Sequence, residues 1–225
     1  MEQVKKHKLN DAYTHSDEED LESLKAVLPV EANDIASYPN PVYAFRHIAK
    51  GPRIKKPSHI FLIVGESYLQ QLFDPAYDSL NLTSGGKRLM NDVHTAVLSN
   101  SLSSGIISRP SIVSLMSGIF DAGLELNEKE TFWKGTVPTA FPLQLKKLGY
   151  TSTYWYGGNV TYGNFNQFAP ACGFDRVMTA TDFCGPKAPK TWVGVYDNVF
   201  LDKAAELIQQ TNSGKPEFHF VYTTS

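Results

Sequence analysis

Four short apolar stretches punctuate the chain: HIFLIVGES (59–67), TAVLSN (95–100), TSTYWYGG (151–158) and EFHFVYTTS (217–225). Each is brief and rich in β-branched or aromatic residues, and each reads as a strand. HIFLIV, ending in Gly65, reads as a buried strand of a parallel sheet. Between these stretches the period changes. GKRLMNDV reads as a short helix, and Ile112, Leu115, Met116 and Ile119 recur at helical spacing behind Pro110. TAFPLQLKKLGY (139–150) is an amphipathic helix closed by Gly149. Ala204, Ala205, Leu207 and Ile208 form the apolar face of a helix that Asp197 caps and that runs to about Gln210. DAGLELNEKE (121–130) reads as polar and exposed, 159–183 as loop–helix–loop, and GPKAPK (185–190) as a breaker. Strands alternating with helices predict an α/β fold, a largely parallel sheet sandwiched by helices.

The first 57 residues lack this rhythm. DEEDLESLKAVL (17–28) predicts one short helix with an acidic first turn, and SYPNP and KGPRIKKP are linker-like. The chain therefore divides into a polar arm (1–57) and an α/β domain (58–225). The basic residues from Arg53 to Lys56 fit a solvated linker.

Composition narrows the function. A length of 225 residues with 42% hydrophobic and 12% aromatic residues suits one large α/β domain or two small ones. A net charge of −2 argues against nucleic acid held by electrostatics. No apolar run spans a bilayer and Met1 opens no signal-peptide pattern, so the chain alone is expected to be soluble. Cys172 and Cys184 are compatible with a disulfide or with two buried thiols, and no CxxC or Cys/His zinc pattern is present. Asn81-Leu-Thr and Asn159-Val-Thr match the glycosylation pattern, which is short enough to recur by chance.

The chemistry concentrates in GIISRPSIVSLMSG (105–118). Pro110 belongs in a first helical turn, so Ser108 falls at or just before a helix N-terminus, where backbone N–H groups and the dipole favour an anion. By itself the stretch reads first as a helix cap and second as a nucleophile. Glu66, at the carboxyl end of the first strand, lies where open α/β sheets bind ligands. Its oxygens suit a hard divalent cation, although alone it reads first as a capping or loop carboxylate. His59, His94 and His219 read as structural or exposed.

Taken together, HIFLIVGES, the Ser108 segment, FPLQLKKLGYTSTYWYGG, FNQFAPACGFDRVMTATDF and GVYDNVFLDKA resemble the alkaline-phosphatase/sulfatase superfamily. The nearest branch is the lipoteichoic acid synthase and phosphoglycerol transferase group. The pieces keep that family's order over roughly residues 55–225. The resemblance implies an alkaline-phosphatase-like fold, with Glu66 as a metal ligand and Ser108 as both nucleophile and ligand of a divalent metal (manganese, magnesium or zinc). The segment also resembles the sulfatase signature, in which Arg follows the second Ser. Here Ile112 stands in that place, which turns the expectation from formylglycine toward an unmodified serine. Ser replaces the Thr of the transferases.

The resemblance further implies covalent transfer. Ser108 takes the phosphoryl group from a phospholipid head group or other phosphodiester and passes it to a glycan or lipid acceptor. Tyr156, Asn159, Tyr162, Asn164 and Asn166 are the expected substrate-binding residues. Gly163 and Phe165 fall near where lipoteichoic acid synthases carry Trp and Arg contacts. The family works on the extracytoplasmic (periplasmic) face of the cytoplasmic membrane. Its remaining ligands, an Asp-His pair and a further His, follow a strand like EFHFVYTTS. By that comparison the chain reads as the N-terminal part of a catalytic domain, inactive alone, with self-association or the rest of the domain as partner. A sulfatase-type ester hydrolase and an inactive partner-binding fragment are the alternative readings.

Overall fold

The computed structural model describes residues 51, 55–98, 101–121, 123–211 and 214–224. The helix expected at 17–28 and most of the polar arm lie outside these residues. The chain divides into Met1–Lys56 and Pro57–Ser225, and the second unit is described here.

Its centre is a four-stranded, all-parallel sheet: β1 (His59–Val64), β2 (Thr151–Tyr156), β3 (Arg176–Thr179) and β4 (Glu217–Tyr222), in the order β1-β4-β2-β3. The last strand in sequence is thus an interior one. It is buried along its whole length, with β1 in register on one side (His59↔Glu217 to Val64↔Tyr222) and β2 on the other (Thr151↔Glu217 to Tyr156↔Tyr222).

The helices α1 (Ser84–Met90), α2 (Ser108–Ser117), α3 (Glu130–Trp133), α4 (Phe141–Lys147), α5 (Phe165–Ala171), α6 (Ala180–Phe183) and α7 (Asp197–Gln210) fill the connections. Side chains alternate between faces of a strand, so the two faces build two cores. On one face Tyr154, Tyr156, Phe218, Phe220 and Tyr222 pack with Ile112, Val113 and Met116 of α2, Leu145 of α4, and Phe165 and Phe168 of α5. On the other, Trp155 and Val221 pack with Ala180 of α6 and with Phe200 and Ala204 of α7. Phe200 is fully buried, and removing such a ring from water contributes about 1.5–3 kcal/mol. Both cysteines are free thiols.

Several local expectations need correction. β1 is an edge strand. Ile60, Leu62 and Val64 are half-buried, whereas His59, Phe61 and Ile63 are exposed, so an apolar run imitated a buried strand. TAVLSN forms no strand over 95–98, and Val97 and Leu98 are exposed. Strand preference depends on having a sheet to join, and these residues find none. Conversely, Arg176–Thr179, inside the expected loop–helix–loop, is β3. Four residues are too few to show a period.

Residues 121–130 are not simply polar and exposed. Asp121, Leu126 and Asn127 are buried. The Asp121 carboxylate accepts from the N–H groups of Glu125 (2.9 Å) and Leu126 (3.4 Å), and its own N–H donates to Ser114 Oγ (3.0 Å). The segment folds around a polar anchor that hydropathy cannot register. Asp197 is the first residue of α7, not its cap, and accepts from the Thr224 N–H at 3.1 Å. Among the described residues, no helix is long and apolar enough to cross a membrane.

Candidate active site

The carboxyl ends of β1, β2 and β4 open into a cavity of about 580 Å³ lined by Glu66, Ser67, Ser108, Tyr156, Asn159, Tyr162, Trp192, Val193, Tyr222 and Thr224. Two of these, Glu66 and Ser108, come from segments far apart in sequence.

Glu66 follows β1 by two residues and is held by β4. Its N–H donates to Thr223 Oγ1 at 3.0 Å, and the Thr223 N–H donates to the Val64 carbonyl at 3.1 Å. The parallel register carries on past both strands and fixes the carboxylate at the mouth of the sheet.

Ser108 is the first residue of α2. The residue before it, Ile107, is extended (φ −139°, ψ 169°), and no side chain caps this N-terminus. The capping role that the isolated stretch suggested is therefore not the one Ser108 plays. Ser111 Oγ turns back to the carbonyls of Ile107 (3.1 Å) and Gly105 (3.3 Å), tightening the entry. A Cβ on Gly105 would sit 2.8 Å from Pro110 Cγ and 2.9 Å from the Ser111 nitrogen, so only glycine admits this approach. Behind Ser108, Ile112 is buried in the core. The position that carries Arg in the sulfatase signature here serves packing.

Tyr222 holds the carboxylate. Its Oη donates to Glu66 Oε2 at 2.8 Å, and Ser108 lines the same cavity. Burial pushes its phenol pKa upward. The nearby Ser108 hydroxyl counters this, and the Glu66 carboxylate and Tyr156 raise it further. The phenol therefore stays protonated. Tyr156 stacks on Tyr222 at 5.1 Å and 7°. Burial, with Tyr162 and Glu66 nearby, pushes its pKa up as well, against a lowering by Arg109. The Arg109 guanidinium lies 4.6 Å over the Tyr162 ring and 3.4 Å from Glu128 Oε1, which orients Tyr162 toward the cavity edge.

Of the residues expected to bind substrate, Tyr156, Asn159 and Tyr162 line the cavity with Glu66 and Ser108. Asn164 and Asn166 do not. Asn164 Nδ2 donates to Glu128 Oε2, and exposed Asn166 donates its N–H to the Val160 carbonyl at 3.0 Å. Sequence reasoning missed Tyr222, Thr224, Trp192 and Val193. The Tyr-Thr-Thr run closing the last strand was the available signal, by the rule that locates ligands at carboxyl ends of strands. Trp192, at 95% exposure, had none.

The oxygens of Glu66 and Ser108 are hard donors. Thr224 Oγ1, buried and without a hydrogen-bond partner, lines the same cavity. One carboxylate with hydroxyls suits a divalent ion that keeps water or substrate oxygens in its other positions.

A parallel α/β sheet with a serine and a carboxylate at its carboxyl ends defines an alkaline-phosphatase-like domain. The chain belongs to the sulfatase family, whose model matches residues 58–225. Two solved structures are similar. A protein in the alkaline phosphatase superfamily from Vibrio parahaemolyticus aligns with TM-score 0.58 at 23% identity, over 73% of this chain and 40% of that one. The lipoteichoic acid synthase LtaP from Listeria monocytogenes aligns with TM-score 0.45 at 18% identity, over 55% of this chain and 29% of that one. The chain thus spans less than half the length of either structure. The first likeness shows a shared fold.

Proposed function

We propose that this domain carries the nucleophile of a metal-dependent phosphotransferase or hydrolase acting on a phosphodiester head group, with Ser108 as nucleophile. The observation that carries the reading is that Ser108 and Glu66 line one cavity at the carboxyl ends of β1 and β4, with the Glu66 carboxylate held by Tyr222. Glu66 and Ser108 would hold a divalent ion (manganese, magnesium or zinc), which when bound supplies charge to a phosphoryl oxygen and acidity to the serine hydroxyl.

The chain's own residues account for the rest. Ser108 Oγ forms a bond to phosphorus as the P–O bond to the leaving alcohol breaks, giving a phosphoserine ester. The serine proton passes to solvent water at the open mouth of the cavity, while Tyr222 Oη keeps its own proton and its bond to Glu66. Tyr222 never has to exist as phenolate, which agrees with its raised pKa. The leaving alkoxide takes a proton from water, and an acceptor hydroxyl, of a glycan, a lipid or water, then gives up its proton to water as its oxygen bonds to phosphorus and the P–O bond to Ser108 breaks. The uncapped first turn of α2 faces the developing charge on the phosphoryl oxygens. Tyr156, Tyr162 and Trp192 offer aromatic walls to the head group, and Asn159 a polar contact. Lipid head groups of this kind are presented at a membrane face, which agrees with an extracytoplasmic setting for the intact enzyme.

Ser108→Ala in the intact protein should abolish turnover of a nitrophenyl phosphodiester with manganese, magnesium or zinc supplied. Mass spectrometry of the wild-type peptide should show serine or its phosphate ester at position 108. Surviving turnover in the variant, or formylglycine at this position, overturns the assignment.

A further inference from the structure

At the opposite end of the same two strands, three ligand-type side chains converge. His59 and Glu217 are the first residues of β1 and β4, in register with each other, and His219 follows on the same face of β4. His59 Nδ1 lies 3.3 Å from His219 Nε2, His219 Nε2 lies 3.4 Å from Glu217 Oε2, and His59 Nδ1 lies 4.0 Å from Glu217 Oε2. This cluster is roughly 17 Å from the active-site end, the rise of one strand.

We propose that His59, Glu217 and His219 form a second divalent-cation site, of the zinc type, separate from the active site and independent of the reading of Ser108. Two imidazoles and one carboxylate are a borderline donor set that suits zinc. Bonds of about 2.0–2.1 Å in a tetrahedron separate donor atoms by about 3.3–3.4 Å. Two of the three spacings already have that value, and the third closes by a small turn of the half-exposed His59 ring. The fourth position faces solvent past His59, whose side chain is 42% exposed.

A second observation points the same way. Glu217 is 3% exposed, and neither of its carboxylate oxygens has a hydrogen-bond partner. Leaving a buried carboxylate so poorly satisfied is costly, and ions that supply the missing partner are one remedy. The Arg176 guanidinium Nη2 stands 3.9 Å from Oε1, whereas both histidines approach Oε2. Packing fixes the cluster. His219 is 1% exposed and stacks against both His59 (5.5 Å) and Phe61 (4.8 Å).

One contact opposes the ion and sharpens the test. The Trp155 indole Nε1–H donates to His219 Nδ1 at 3.3 Å, which leaves the ring proton on Nε2. Ligation through Nε2 moves that proton to Nδ1, facing the indole N–H. Binding therefore has to open the Trp155 contact, and removing the indole N–H should strengthen it.

The test titrates cobalt(II), then zinc(II), into the 225-residue chain carrying Glu66→Ala, which removes the carboxylate of the other candidate site. One equivalent of cobalt should develop the visible absorption of a four-coordinate nitrogen and oxygen site, and zinc should abolish it. His59→Ala and Glu217→Gln should each weaken binding by about 100-fold or more, since losing even a residue that only hydrogen-bonds to a ligand costs about 10–100-fold. Trp155→Phe should tighten it by about tenfold. Absence of the spectrum, or its persistence in His59→Ala, overturns the site. Unchanged affinity in Trp155→Phe overturns ligation by His219 Nε2. Should Glu217→Gln fail to fold, His59→Ala decides, because its position is on the surface.

Discussion

Tyr222→Phe tests the link between the central sheet and the Glu66 carboxylate. The substitution removes one oxygen and keeps the ring that stacks on Tyr156. The oxygen donates one hydrogen bond, to the Glu66 carboxylate at 2.8 Å. A hydrogen bond to a charged group contributes about 1.5–3 kcal/mol. Glu66 is half-exposed and regains water, which discounts this to about 1 kcal/mol. The expected loss of folding stability is about 1 kcal/mol, or about 2–4 °C in melting temperature for a domain of this size. The assay is denaturant unfolding of wild type, Tyr222→Phe, Glu66→Ala and the double variant. The cycle should return a coupling of about 1 kcal/mol between Tyr222 and Glu66. A coupling below about 0.3 kcal/mol would refute the bond and with it the positioning of Glu66 on which the proposed site draws.

Three further outcomes follow from individual contacts. Burial pushes the Cys172 thiol up to about 12 and raises Cys184 less. Native protein should therefore react with iodoacetamide slowly at Cys184 and not at Cys172 until denatured, as peptide mapping would show. Burial would raise the Asp175 carboxyl, but the Lys146 ammonium at 2.6 Å and the Ser152 N–H and hydroxyl hold it below the usual carboxylate range. A lowered folded pKa means stability present above about pH 4 and lost as pH falls through the folded value, so acid titration of Asp175→Asn should show a shallower decline than wild type. A Cβ on Gly194 would lie 2.4 Å from the Gly157 carbonyl oxygen and 2.5 Å from Thr224 Oγ1. Gly194→Ala should cost about 1–3 kcal/mol by chemical denaturation and lower turnover as well, because the clash falls on the cavity wall.

Legibility followed the range of the interaction. Elements with their own period could be read locally. The 197–210 helix and the 151–156 and 217–222 strands stand within a few residues of their expected places. Elements whose existence depends on a neighbour could not. TAVLSN has strand composition and no partner, whereas RVMT has little composition and gains a strand from β2. Burial failed for the same reason. Asp121 is polar in any hydropathy scale, yet it is buried because two N–H groups and Ser114 satisfy it.

The site shows the same division in sharper form. Glu66 and Ser108 were legible because each sits at a boundary that a strand or helix creates for itself. Tyr222 was hidden because its importance comes from the pairing of β1 with β4, which no single segment records. With Val64 opposite Tyr222, the residues just beyond both strands interlock, and Thr223 grips the Glu66 N–H while Tyr222 reaches its carboxylate. The same register has a consequence at the other end. It sets His59 opposite Glu217, and the strand period of two then brings His219 onto their face. Read singly, the histidines were unremarkable, since an isolated imidazole in or before a strand is ordinary structural furniture. A one-residue slip between β1 and β4 would turn Glu66 away from Tyr222 and His59 away from Glu217 together. One pairing therefore underlies both clusters, and an edge-strand substitution that weakens it, such as Ile60→Pro, should disturb cobalt binding and turnover in parallel.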